Sequence, residues 1–162
     1  MEESTRQKIA RLLRPTHDTA GWKAEFESLD KDEALPILIE VLQDATKTAH
    51  TRSQAINMLG MLKDSRALDA LLGALVDSVD LLRARAAIAI GQVGVMQERA
   101  IEAIINGLAD EDSFVRECCA KVLGLMKRPE AIPALVRMRA EDIVLSNQEI
   151  ARQAVEEIEG AD

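Results

Sequence analysis

DLLRARAAIAIGQVG, residues 80–94, is the stretch that decides the fold of this chain. Its small apolar residues recur at helical spacing, and they are Ala86, Ala87, Ile90 and Val93. Such spacing places them on one face of an α-helix. Arg83 stands one turn before that face, and Gly91 closes it. The stretch therefore predicts a helix that packs through small side chains against other helices.

The same register occurs three times along the chain. In each copy an arginine is followed at offsets 3, 7 and 8 by a small residue, an apolar residue and a glycine. The copies are Arg52, Ala55, Leu59, Gly60; Arg83, Ala86, Ile90, Gly91; and Arg116, Cys119, Leu123, Gly124. Three copies in register indicate an internal repeat and not a single amphipathic helix.

A second kind of segment precedes each arginine helix. It begins with an alanine followed by apolar residues and ends with an acid, at residues 34–44, 67–77, 100–110 and 131–141. The first alanines lie 33, 33 and 31 positions apart. Each unit is therefore predicted to be a first helix, a tight turn, a second helix and a short link. Aromatic residues make up 2% of the chain, so its core must consist of Ala, Leu, Ile and Val.

The two ends of the chain differ from the middle. Trp22, Phe26 and Leu29 share one face of an early helix, where core packing is the favoured interpretation and a ligand pocket at Trp22 the alternative. Gln148 stands in the arginine position of the last unit, which is also rich in glutamate. We therefore expect one complete repeat domain over 1–162. Its expected divisions are an N-terminal capping pair at 1–30, repeats at 31–63, 64–96 and 97–127, and a C-terminal capping repeat at 128–162.

The triplicated R-x-x-A/C-x-x-x-L/I-G pattern resembles the HEAT-like repeats of the phycobilisome-lyase type, over about residues 34–159. The resemblance implies an all-α, right-handed superhelix, a HEAT/armadillo-like solenoid of about five helix pairs. In such repeats the second helices usually line the concave surface. Some HEAT-like enzymes hold di-iron in His-Glu dyads, and phycobilin lyase subunits share the repeat. No histidine in this chain is followed by glutamate, which argues against a di-iron activity.

Acids end the first helices and arginines begin the second ones. They are Asp44, Asp77 and Asp110, and Arg52, Arg83 and Arg116. A ladder of guanidinium groups could bind an anionic ligand, because the planar fork matches carboxylate or phosphate. The favoured interpretation is structural: each arginine pairs with the turn acid of its own or the next unit and fixes the angle between repeats. The resemblance implies the same role.

The side of the second helices opposite their buried alanines is the candidate binding face. It mixes polar groups with exposed apolar residues, which suits a protein partner. The predicted partner-binding residues are Gln54, Asn57, Met61, Arg85, Ile88, Gln92, Lys121 and Leu125. Cys118, Ile150, Gln153 and Glu157 occupy the remaining equivalent positions. An error of one residue in the predicted helical register would place half of these face residues on the buried side.

The sequence gives little support for catalysis, and we expect no catalytic residue, cofactor or metal ligand. His17 and His50 are predicted to lie in turns without a partner at helical spacing, and zinc, nucleophile-elbow and phosphate-loop motifs are missing from the sequence. A net charge of −8 disfavours a nucleic-acid groove. No apolar run is long enough to span a membrane. Cys118 and Cys119 are neighbours on a helix, so we expect free thiols and a cytoplasmic location.

These observations favour a non-catalytic protein–protein interaction or scaffold module that binds a protein partner on the concave face. One alternative is a subunit of a phycobilin-lyase-like or other cofactor-enzyme complex. Another is a self-associating assembly component, so a homo-oligomer is an open possibility.

Overall fold

The computed structural model describes residues 3–15, 19–94 and 97–160. Within these ranges the regular elements are all helical, with ten α-helices and three short 3₁₀ turns. The first five α-helices are α1 (Thr5–Leu12), α2 (Thr19–Glu27), α3 (Lys31–Gln43), α4 (Ala49–Leu62) and α5 (Leu68–Ala74). The other five are α6 (Asp80–Val93), α7 (Glu98–Asn106), α8 (Ser113–Leu125), α9 (Ile132–Glu141) and α10 (Leu145–Glu159). The predicted array of about five helix pairs is confirmed.

The second helices α4, α6, α8 and α10 pack one on the next along the array, more closely than the first helices α3, α5, α7 and α9 do. Glycines permit this approach. A Cβ atom built on Gly60 of α4 would lie 3.0 Å from the Cα atom of Ala89 in α6, and one on Gly124 of α8 would lie 3.0 Å from the Cα atom of Ala154 in α10. Because the second helices are the more tightly spaced layer, the array curves toward them and they form its inner side.

The core lies between the two layers and consists mainly of alanine, leucine and isoleucine. The four residues that the repeat places at the centre of the buried side, Ala55, Ala86, Cys119 and Ala151, are all fully buried. Small side chains there let the helices approach closely enough for leucine and isoleucine to fill the remaining space. The register predicted from the arginine spacing is therefore confirmed at the buried side.

The N-terminal pair is held together by aromatic residues. The rings of Trp22 and Phe26 stack with centroids 5.3 Å apart. The Trp22 indole N–H donates to the backbone carbonyl of Leu12 at 2.9 Å, and Phe26 and Leu29 are buried. The ring stack lies within α2, and the Trp22 hydrogen bond joins α2 to α1, so the packing interpretation of Trp22 accounts for its position.

No helix in the described part of the chain is both long and apolar enough to cross a membrane.

Candidate protein-interaction face

The arginine ladder occupies the turns between the first and second helices. Arg83 is buried, and its Nε and Nη2 atoms both donate to the Asp110 carboxylate at 2.8 Å. Its Nη1 atom donates to the backbone carbonyl of Asp77 at 3.0 Å. Asp110 belongs to the next unit and Asp77 to the same unit. One guanidinium therefore closes its own turn and also fixes the following repeat.

Neighbouring units repeat this arrangement. Arg116 donates to both oxygens of Asp142, at 2.7 and 2.9 Å, and to the carbonyl of Asp110 at 2.8 Å. Arg52 donates to Asp77 at 2.6 Å, but its contact within the unit is to the carbonyl of Leu42. The structural interpretation of the ladder is confirmed.

In the last unit, the ladder contact within the unit is retained, but glutamine replaces arginine. Gln148 stands in the arginine position, and its side-chain amide donates to the carbonyl of Asp142 at 2.7 Å. It thus closes its own turn as the arginines do. Sequence reasoning missed Asn147, which is almost fully buried and donates to the carbonyl of Ser113 at 3.0 Å and to Asp142 at 3.2 Å. An amide where the two preceding units have Leu82 and Val115 is the signal that could have revealed it.

The surroundings of the ladder acids Asp77, Asp110 and Asp142 lower their pKa values. The hydrogen bonds from Arg116 lower the pKa of Asp142 from its ordinary value of 3.8 to about 2, against the opposing effect of burial. For Asp110, burial raises the pKa, but the hydrogen bonds from Arg83 and from the Asp112 backbone outweigh it, so the net shift is downward. These charges are matched within the chain, because each ladder arginine pairs with a carboxylate of the protein itself.

The candidate face on the second helices is open mainly at their C-terminal halves. Of the predicted residues there, Leu125 is 75% exposed and Met61 40% exposed, and Gln92 and Lys121 are also exposed. The others are partly buried, namely Gln54, Asn57, Arg85 and Ile88. These eight residues lie on α4, α6 and α8, three helices that pack consecutively.

Two expectations about this side are wrong. Cys118 was expected on the open side of α8, but it is 4% exposed, and burial raises the pKa of its thiol. Ile88 was expected to be open, yet it packs partly against the core. The open strip is therefore narrower than three positions per helix, because neighbouring second helices cover part of each other's flanks.

The thiols and the histidine in the described residues offer no reactive group to the face. Burial raises the pKa of Cys119 to about 12, so neither cysteine has the thiolate character that nucleophilic chemistry requires. His50 was predicted to lie in a turn, but it lies in the first turn of α4 and is exposed. His17 lies outside the described residues. Where side chains are described, no three His, Cys, Asp or Glu groups cluster as metal ligands would.

Polar contacts on the face are local. The Asn57 amide donates to Gln54 at 3.2 Å on α4, and Lys121 donates to Glu117 at 2.5 Å on α8. Gln92 lies over Gly60, since a Cβ atom there would meet its side-chain oxygen. Amides and apolar side chains thus alternate on a surface built by three successive repeats.

The comparison with protein families decides the relationship. The family model of HEAT repeats matches residues 1–91 and 77–158. This chain belongs to the HEAT repeat family. The resemblance to HEAT-like repeats that the arginine helices predicted is confirmed, and the all-α HEAT/armadillo-like solenoid with it.

Two curated proteins similar to this chain are a hydroxylase and a lyase subunit. Deoxyhypusine hydroxylase of Schizosaccharomyces pombe is 32% identical over 107 residues, which cover 65% of this chain and 33% of that protein. Phycocyanobilin lyase subunit alpha of Nostoc sp. is 38% identical over 84 residues, which cover 48% of this chain and 30% of that protein. This chain matches only about a third of the length of these relatives.

Solved structures share the fold. The complex of CpcE and CpcF of phycocyanin lyase from Nostoc sp. matches with a TM-score of 0.69 at 20% identity, over 98% of this chain and 66% of that chain. A designed armadillo repeat protein in complex with the peptide (KR)4 matches with a TM-score of 0.67 at 18% identity, over 95% and 81% of the two chains. At these identities the likeness shows the HEAT/armadillo fold.

Proposed function

We propose that this chain is a non-catalytic HEAT-repeat interaction module that binds a protein partner on the inner face formed by α4, α6 and α8. The observation that carries the proposal is the exposure of Leu125 and Met61 on that face, bordered by the polar residues Gln92 and Lys121. Apolar side chains within a polar rim are typical of protein interfaces.

Two further observations support a protein as the ligand. The ladder arginines, which could have bound a small anion, already pair with Asp77, Asp110 and Asp142. The structural neighbour CpcE occurs in a complex with CpcF, so a solenoid of this fold does serve as one partner of a protein pair.

The absence of chemistry is part of the proposal. The two histidines are followed by Asp18 and Thr51, so the sequence lacks the His-Glu dyad in which some HEAT-like enzymes hold di-iron. We infer that it contributes a binding surface and no reacting group.

A second candidate is a subunit of a phycobilin-lyase-like complex, favoured by the identity to phycocyanobilin lyase subunit alpha. It differs from the first in what should co-purify with the protein. The visible absorption spectrum of protein purified from its native host separates the two, since a bound chromophore would favour the lyase-like assembly and a colourless protein complex the interaction module.

The experiment for the first candidate compares Leu125→Asp with Val136→Asp. Val136 is the matched control because it is also an apolar side chain that is largely open to solvent, at 51% exposure. It lies on α9, which is the first helix of the last unit and not part of the proposed face. Both variants should melt near the wild type, because a charge at an exposed position changes stability by less than about 0.5 kcal/mol.

Tagged forms of all three proteins are then recovered from the native host and their co-purifying proteins quantified by mass spectrometry. Leu125→Asp should lose a partner that the wild type and Val136→Asp retain. A partner retained equally by all three would overturn the assignment of the face. Sedimentation velocity on the purified proteins identifies the case in which the lost partner is a second copy of this chain.

A further inference from the structure

Arg85, at the centre of the proposed face, is a guanidinium without an acceptor for its innermost nitrogen. Its Nε atom is buried and donates no hydrogen bond to any described residue. This contrasts with Arg83 two residues earlier, which is fully paired. A buried N–H of a charged group without an acceptor costs free energy, because the group has lost water and gained nothing in exchange.

The surroundings of Arg85 offer it no obvious counter-charge. It lies near the thiol of Cys118 on α8, where its charge and that of Lys121 both favour the thiolate. Glu117, which also acts on that thiol, is bonded to Lys121 at 2.5 Å. The eight residues predicted for the face include two cations and no acid, although the chain as a whole carries a net charge of −8. Because Lys121 is paired with Glu117, Arg85 is the cation of this face that has no carboxylate partner among the described residues.

We propose that the partner docks a carboxylate, from an aspartate or glutamate in a partly apolar segment, onto Arg85. The planar fork of arginine matches a carboxylate. The Nη atoms of Arg85 donate no hydrogen bond to any described residue and, unlike Nε, are not fully buried, so they are the donors that an incoming carboxylate would meet. This inference rests on the proposed function and names the chemistry of the partner at that face.

The apolar part of the segment lies on Leu125 and Met61. Both stand near the C-terminal ends of their helices, whereas Arg85 lies near the middle of α6. Along α6, the seven residues from Arg85 to Gln92 rise roughly 10 Å, which at least about three extended residues are needed to span. Because Met61 and Leu125 lie on the neighbouring helices, the acid and the leucine-like side chains of the segment should be at least that far apart in its sequence. A nucleic acid fits less well, because a protein of net charge −8 repels a polyanion.

The test selects short random peptides displayed on phage against immobilised wild-type protein. Recovered peptides should combine an aspartate or glutamate with apolar residues. In Arg85→Gln the affinity of the selected peptides, measured by fluorescence anisotropy, should fall by roughly tenfold to a hundredfold. Arg137→Gln is the matched control, since Arg137 is an exposed arginine on the first helix α9 and should leave the affinity unchanged.

A double-mutant cycle makes the result specific. The best peptide is also made with its acid replaced by the matching amide, and this change should weaken binding to the wild type but not to Arg85→Gln. Rising salt should weaken the wild-type complex more than the Arg85→Gln complex, because only the former contains the charge pair.

Each contrary outcome has a distinct meaning. Peptides without acids, or an acid preference that survives Arg85→Gln, overturn the carboxylate site, and the proposed function stands if Leu125→Asp still abolishes binding. Peptides whose binding is unaffected by both Arg85→Gln and Leu125→Asp overturn the inner face as well. Failure to recover any peptide contradicts a docking site for a linear acidic segment, while leaving intact the recovery of a folded partner from the native host. Circular dichroism and thermal melting confirm that each variant is folded before its binding is interpreted.

Discussion

Arg83 links two successive repeats through its side chain. It is 8% exposed, donates two hydrogen bonds to Asp110 of the next repeat and one to the carbonyl of Asp77 in its own. Arg83→Ala removes these bonds and leaves Asp110 ionised and unpaired in a largely buried position. We expect it to lower the free energy of unfolding by roughly 2–4 kcal/mol, measured by urea denaturation.

The control is Arg66→Ala. Arg66 also makes ion pairs, to Asp32 and Asp64, but its side chain is 56% exposed. Exposed pairs of this kind contribute at most about 1 kcal/mol. Equal losses in the two variants would contradict the view that the ladder, and not surface pairing, fixes the repeats.

Asp142 makes stability depend on pH. Its pKa falls from 3.8 to about 2 in the folded protein, chiefly through its hydrogen bond from Arg116. Because the folded pKa is the lower one, the stabilisation is complete above about pH 4 and is lost as the pH falls toward about 2. At about 1.4 kcal/mol per pKa unit, it amounts to roughly 2 kcal/mol.

The measurement is the urea midpoint of the wild type and Asp142→Asn between neutral pH and pH 2. Asparagine keeps the shape but cannot ionise, so the variant should be less stable than the wild type at neutral pH. The gap should narrow as the pH falls from about 4 to about 2, where the wild-type carboxylate takes up its proton. A gap that stays constant over that range would show that the Asp142 charge contributes nothing.

The ladder could be predicted from the sequence because one arginine and one acid recur at fixed spacing, and buried charges need partners. Cys118 and Asn147 could not be placed as well. By its position on the helical wheel, Cys118 faces away from the core of its own unit. It is nevertheless buried, because it lies beside the preceding second helix α6, which carries Arg85. Asn147 is buried because it bridges α10 to the first residue of α8, a contact between units that helical periodicity does not contain.

The second helices depend on glycine at their contacts. Gly60 in α4 faces α6, where an added Cβ atom would meet the Cα atom of Ala89 at 3.0 Å and the side-chain oxygen of Gln92. Gly60→Ala should lower stability by about 1–2 kcal/mol, because overpacking between helices exceeds the helix-propensity gain of up to about 1 kcal/mol. Thermal or urea denaturation measures this change in the free energy of unfolding.

Gly73 in α5 is the matched control. It is also a helical glycine, but nothing lies within 4 Å of an added Cβ atom. Gly73→Ala should therefore stabilise the protein by roughly 0.5–1 kcal/mol. If both glycine substitutions stabilise, the second helices are not packed as closely as the structure describes.

The sequence pattern predicts the helices themselves better than it predicts the hydrogen bonds that cap their first turns. Ser4 and Gln7 form a capping box at the start of α1. At α3 the corresponding residues are Asp30 and Glu33: Asp30 caps the helix, but Glu33 accepts a hydrogen bond from Thr5 and does not close a box. Tertiary contacts compete with local capping, and short sequence patterns do not reveal which will win.

Taken as a whole molecule, the array has one layer that is tightly spaced and one that is not, and the difference gives it an inner face. The repeat spacing predicts both layers, because each unit supplies one helix to each. It predicts less well which side chains stay open on the inner face, since that depends on how neighbouring units cover each other, as Ile88 illustrates. The exposed Met61 and Leu125 remain at the ends of α4 and α8, where coverage is least.

The central claim is that the second-helix face binds a protein partner, and site-specific photo-crosslinking in the native host tests it most directly. A photoreactive phenylalanine analogue replaces Met61, Lys121 or Leu125 on the second helices, or Glu102, Val136 or Arg139 on the first helices, all of them exposed positions. We predict that one partner is crosslinked from the three inner positions and not from the three outer ones. Crosslinks to that partner from α7 and α9 alone, with none from α4 and α8, would contradict the claim.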